Sequence, residues 1–184
     1  MTAITAALAV TAAPAAVAAR PGAGLHGWAR LDPAGPVPGE DRLTLAVDAT
    51  ARHRAGAGGA AEARGHVTIQ HAFPNGDGTF STSRMEIAID CLITRGRTTS
   101  LTGVVESVTI TVPPGYEQPP GSTDSWHPET AFSFYTEDGG QRRIGWRIPR
   151  FGDPTAPPAA ARCVAPTVDA SDFYLVEGGF TVRR

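Results

Sequence analysis

Apolar and polar residues alternate at period two through most of the chain beyond residue 40. Leu43, Leu45 and Val47 share one face of an extended segment, with Thr44, Ala46 and Asp48 on the other. Val67, Ile69, His71 and Phe73 repeat the pattern against His66, Thr68, Gln70 and Ala72. Met85, Ile87, Ile89, Cys91 and Ile93 carry it further, against Glu86, Ala88, Asp90, Leu92 and Thr94. Leu101 to Val112 is rich in Val, Thr and Ile. Phe132 and Phe134 mark a fifth segment, and Ile144, Trp146 and Ile148 a sixth. Asp172–Glu177 and Phe180–Arg183 supply one or two more, divided by Gly178-Gly179. Alternation of this kind marks half-buried strands. No segment past residue 40 carries a helical stripe.

The connectors read as turns. Pro74-Asn75-Gly76-Asp77-Gly78 contains the Asn-Gly hairpin signal, and Arg95-Gly96-Arg97 and Glu137-Asp138-Gly139-Gly140 are similarly short. Two Pro-rich connectors, 113–129 and 151–168, are longer. These elements predict one all-β domain over residues 41–184. The favoured architecture is a seven- to eight-stranded antiparallel barrel, because a chain of short hairpins closes naturally and closure removes exposed edges. A two-sheet β-sandwich is the alternative.

The N-terminus differs in kind. Residues 1–19 carry no charged side chain, hold an apolar stretch Ile4–Val10, and end in the small-x-small run Ala16-Val17-Ala18. That is the pattern of a secretory signal peptide, although no basic residue precedes the apolar stretch. Residues 20–40 are punctuated by Gly and Pro every few positions, which predicts a flexible leader, with Trp28 as a surface packing contact. An exported chain enters an oxidising space, so the only two cysteines, Cys91 and Cys163, are expected to form a disulfide.

Composition narrows the partners. The net charge is −2, and all 16 basic residues are arginine. Near-neutral charge argues against an electrostatic nucleic-acid binder. No apolar run past the first twenty residues is long enough to be a transmembrane span.

Cys91-Leu92-Ile93-Thr94-Arg95-Gly96, followed by Leu101-Thr102-Gly103-Val104-Val105, resembles a segment of small secreted all-β proteins from actinobacteria. Arg64-Gly65-His66-Val67, the stretch from Phe132 to Asp138-Gly139, Gly145-Trp146, Cys163 and Gly178-Gly179 fit the same resemblance. It spans roughly residues 41–184 and implies a signal peptide plus one β-domain. It carries no assigned activity, and so no functional residue.

Candidate chemistry is sparse. The five histidines form no metal-binding motif. The loop Asp124-Ser125-Trp126-His127-Pro128-Glu129 holds two carboxylates and an imidazole, but a solvated loop is the better reading, since metal sites need ligands held by rigid neighbours. Asn75–Gly78 lacks the ligand frame of a calcium loop. Neither a metal nor a cofactor is expected. There is no G-x-S-x-G. The sharpest signal is parity: Glu106 aligns with Val104, Val108, Ile110 and Val112, and His71 with Val67, Ile69 and Phe73. Both would point into the barrel as an acid–base pair or ligand anchor, unless a β-bulge near Gly103 or Ser107 turns Glu106 to solvent. Arg142, Arg143, Arg147, Arg150, Arg183 and Arg184 form a late basic set that could meet anionic cell-wall polymers, with ordinary solvation as the simpler reading. The expected role is an extracellular, non-enzymatic binding or interaction domain for a small apolar molecule or a cell-envelope component. A small barrel enzyme of cyclase or isomerase type using Glu106 and His71 is one alternative, and a structural envelope protein another.

Overall fold

A computed structural model describes residues 22–33, 42–52, 62–117, 127–136, 142–147 and 171–183. Every regular element among them is a strand. The strands are β1 (Gly24–Pro33), β2 (Arg42–Arg52), β3 (Glu62–Pro74) and β4 (Phe80–Arg95), then β5 (Thr98–Thr111), β6 (Glu129–Thr136), β7 (Arg142–Arg147) and β8 (Ser171–Arg183). Each pairs antiparallel with the next, and β8 returns to β1, giving a closed eight-stranded barrel. The barrel expected from the strand pattern is therefore the fold, and the sandwich is not.

The strands tilt steeply. From Leu31 the ladder runs through Leu43, His71 and Ser83 to Ile110. From the adjacent Asp32 it runs the other way, through Tyr174, Arg143 and Tyr135, to Thr98. The two routes meet β5 at opposite ends, which is the stagger a closed barrel requires.

The flexible leader expected for residues 20–40 needs correction, because Gly24–Pro33 is β1 and closes the barrel. Its composition hid the pattern. Leu25, Ala29 and Leu31 are buried at alternate positions, and Gly27 stands where the fourth apolar residue would be. Gly27 has φ +151°, and a Cβ there would run into the carbonyl of Gly179 on β8. Glycine thus serves the close approach of two strands. Residues 1–19 and Cys163 lie outside the described residues.

The interior is apolar and full. Leu25, Leu45, Val67, Ile87, Leu101 and Phe132 expose no surface, so none of them borders a space that would hold water. Phe132 stacks on Trp146 with ring centroids 5.8 Å apart, and Trp146 packs against Phe173. The buried indole is satisfied: Nε1–H donates to Thr130 Oγ1 (3.1 Å), whose hydroxyl donates to the Arg147 carbonyl (2.7 Å). Eight strands leave just enough width for such side chains to fill.

Two bulges set which way later residues face. On β4, Ile89 opposes Gly103 and Cys91 opposes Thr102, so Asp90 is extra. On β5, Val105 opposes Ile87 and Ser107 opposes Glu86, so Glu106 is extra. Each insertion reverses the parity beyond it.

Candidate functional site

The bulge on β5 decides the fate of the Glu106–His71 pair. Val105 and Val108 are buried toward the interior, and Glu106 stands outside with 53% of its side chain exposed. Its carboxylate lies 3.7 Å from His66 Nδ1, also on the outer surface. His71 does face inward, half-buried at one end of the barrel, with its ring 5.3 Å from that of Phe73. The two expected partners therefore lie on opposite sides of one wall. The bulge beside Ser107, the alternative to the inward pair, is what the structure has, and a straight parity count runs through the extra residue Glu106.

Cys91 is corrected in the same way. The extra Asp90 puts Leu92 on the core face and turns Cys91 and Ile93 outward. Both are still buried, Cys91 to 1% exposure. They belong to two rows on the outside of β4–β7: Cys91, Thr102 and Ala131, then Ile93, Ser100, Ser133 and Gly145. All these positions are buried. No cysteine among the described residues is a free thiol.

The other expected features take structural roles. His127 Nδ1–H donates to the Val105 carbonyl (2.9 Å), and Val105 N–H donates to the Pro128 carbonyl (3.0 Å). The peptide beside the β5 bulge is thus paired by the segment entering β6. Among the described residues no group of His, Cys, Asp or Glu has the arrangement to hold a metal ion. Asn75–Thr79 is a hairpin turn tied by its own side chains. Thr79 donates to Asp77 Oδ1 from its N–H (2.9 Å) and its hydroxyl (2.6 Å). Those bonds, with one from Tyr116, hold the Asp77 carboxyl below its ordinary pKa, and the same contact raises that of Tyr116. The late arginines form no single patch among the described residues. The Arg143 guanidinium lies 5.4 Å from the Tyr135 ring centre and 4.8 Å from that of Tyr174. Arg183 instead approaches His26. The side chain of Arg142, and Arg150 and Arg184 entirely, lie outside the description.

A site the sequence did not single out lies on the outer face of β2–β5. It is a groove of about 420 Å³. Two cross-strand rows form it, Thr44, Gln70, Arg84 and Thr109, and Arg42, Ala72, Thr82 and Thr111, with the candidate His71 and its partner Ser83 on the rung between them. Arg84 is neutralised locally, since Nε–H donates to Glu86 Oε1 (2.6 Å) and Thr68 donates to Glu86 Oε2 (2.7 Å). Among the described residues Arg42 has no such partner. Its guanidinium sits 5.9 Å from the ring centre of Phe80, an exposed aromatic at the end of β4. Most of the lining residues belong to the polar, outward half of an alternating strand. What joins them is the register across four strands, which no single strand encodes.

Taken together, these features define a closed antiparallel barrel with a filled interior and an outward polar groove. No family model, curated protein or solved structure matches the chain.

Proposed function

We propose that this protein is an exported, non-enzymatic binding domain that attaches to a cell-envelope component through the outside of its barrel. The observation that carries this reading is the filled interior. A small apolar ligand needs an enclosed cavity lined mainly by apolar side chains. Here the middle of the barrel is closed by residues that expose nothing. The groove on β2–β5 leaves the outer face to do the binding.

Export rests on the uncharged, Ala-rich residues 1–19 and on the resemblance to small secreted actinobacterial proteins. We further propose that Cys91 pairs with Cys163. Cys91 is not a free thiol, and Cys163 is the only other cysteine in the chain. The bridge joins β4 to the connector between β7 and β8, beside the buried outer rows. A mature monomer two hydrogens lighter than its reduced form is the expected mass.

The test of function is co-sedimentation of the full mature protein with insoluble cell-wall material, alongside native mass spectrometry after incubation with a fatty acid. Saturable binding to the wall material without a fatty-acid adduct is expected. A stable fatty-acid complex with no wall binding would overturn the reading.

A further inference from the structure

We propose that the groove on β2–β5 is the reading site and that it takes an acidic polysaccharide, a chain of sugar rings bearing carboxylates. This deepens the envelope-binding reading and rests on it.

The charge balance is the first argument. Among the described residues the groove lining includes Arg42, Arg84 and His71 and no carboxylate. Glu86 answers Arg84, while Arg42 has only the Phe80 ring beside it among the described residues. A guanidinium that no carboxylate holds is available for a fork-like pair with a ligand carboxylate. The whole chain is close to neutral, so this local excess is not a general basic field.

The floor is the second argument. Thr44, Thr82, Thr109 and Thr111 present hydroxyls, and Gln70 an amide, from adjacent strands. Strands lie about 4.8 Å apart and same-face residues about 7 Å apart along each strand, so these groups form a regular grid. A hydroxyl both donates and accepts, which suits the mixed hydroxyls of a sugar ring.

Aromatic residues flank the grid and supply the third argument. Phe80 stands at one margin, 36% exposed. Trp28 stands at the other on β1, opposite Ala46, and is 44% exposed. Its indole is seated against β8 at Gly178, where φ is +82° and a Cβ would meet indole Cε3 at 2.7 Å. The glycine lets a large ring lie on the barrel surface while part of it stays open. Trp28, Ala46, Thr68 and Glu86 form the outward row next to the groove, and Arg30 stands beside Trp28 opposite the groove residue Thr44. An exposed aromatic with an apolar body and a polar edge suits the apolar face of a sugar ring.

The experiment uses the full mature protein and calorimetric titration with oligogalacturonate, with dextran as the uncharged probe and polyphosphate as a non-sugar anion. Oligogalacturonate is expected to bind, and the other two are not. Arg42→Gln and Trp28→Ala should each weaken binding about tenfold, the loss of one charge-assisted or one stacking contact. Trp28→Phe should recover most of its loss. Arg64→Gln, which removes an equal charge on the outer face of β3 six residues from Gln70, should change binding less than twofold. Equal binding of dextran or polyphosphate overturns the proposal, as does unchanged affinity in Arg42→Gln. Wall binding that persists while oligogalacturonate fails overturns the ligand class alone. Loss of wall binding altogether overturns the reading beneath it.

Discussion

Two stretches of the barrel's outer face share small hydroxyl residues and have opposite fates. On β4–β7, Cys91, Ile93, Ser100, Thr102, Ala131 and Ser133 point outward and are buried. On β2–β5, Thr44, Gln70, Thr82, Arg84, Thr109 and Thr111 point outward and line an open groove. Strands β4 and β5 contribute to both. Hydroxyl residues supply three of the six on the covered wall and four of the six on the open one, so hydroxyls alone do not distinguish them; Cys91, Ile93 and Ala131 complete the first, Gln70 and Arg84 the second. The difference lies in what surrounds the rows: arginines and an exposed aromatic on one side, a cysteine without a free thiol on the other.

The sharpest way to break this comparison is to place the same charge on each face. Ile93→Asp removes a buried apolar side chain and puts a carboxyl where water is excluded, so it should cost about 4 kcal/mol or more. Thr109→Asp, on exposed β5 beside Arg84, should stay within about 0.5 kcal/mol. Urea denaturation of both variants reads this directly. Equal costs would mean the two faces do not differ in solution.

Next in size is the bridge proposed between Cys91 and Cys163. Cys91→Ser should lower stability by about 3–4 kcal/mol, the value for opening a loop of roughly 70 residues, in a model where the bridge acts on the unfolded chain. Thermal melts of the variant and of the reduced parent should agree. A Cys91→Ser melt matching that of the unreduced parent would remove the bridge from the account of the covered face.

These effects also bear on what the sequence made legible. The strands past residue 40 were readable because most keep strict alternation, as in Leu43–Val47 and Val67–Phe73. β1 was not, because Gly27 interrupts its apolar face for the sake of the β8 backbone. Parity was readable only up to the first bulge. Asp90 and Glu106 look like ordinary outward and inward residues, and nothing local marks them as insertions. An extra residue shows only against the partner strand, so the sequence could offer a bulge near Ser107 as an alternative for Glu106 without fixing it, and it showed no sign of the one that turns Cys91. The groove was hidden for the same reason, being a property of four strands in register.

Smaller effects follow where groups are exposed. Glu106→Gln breaks a long contact to His66 on the solvent side, and pairs of this kind contribute little. A shift within about 0.5 kcal/mol in the urea series is expected. A loss well above 1 kcal/mol would show that Glu106 has a buried role after all and would reopen the inward pair.

The finest test concerns the rim of the open face. The hairpin between β3 and β4 carries Asp77, and Tyr116 from the segment after β5 reaches the same carboxylate. Both neighbour the end of the groove formed by Ala72, Thr82 and Thr111. Hydrogen bonds from Thr79, its hydroxyl first and then its N–H, hold the Asp77 pKa below the ordinary value. A carboxyl whose folded pKa is depressed favours the folded turn at any pH above its unfolded value. That contribution fades as pH falls from the unfolded value through the lower folded one. Thr79→Val removes the hydroxyl and keeps the N–H, so the Asp77 pKa should rise toward 3.8 without reaching it. The Tyr116 pKa, raised chiefly by its bond to Asp77, should stay raised and climb further, because the Thr79 hydroxyl is a partner that lowers it. Carbon-detected NMR titration of the Asp77 carboxyl and Tyr116 ring reads both groups in one sample. A rise in both would show that the Asp77–Tyr116 bond persists without the Thr79 hydroxyl. If Tyr116 relaxed with Asp77, the turn itself would have opened, and the rim of the groove would depend on a single threonine hydroxyl.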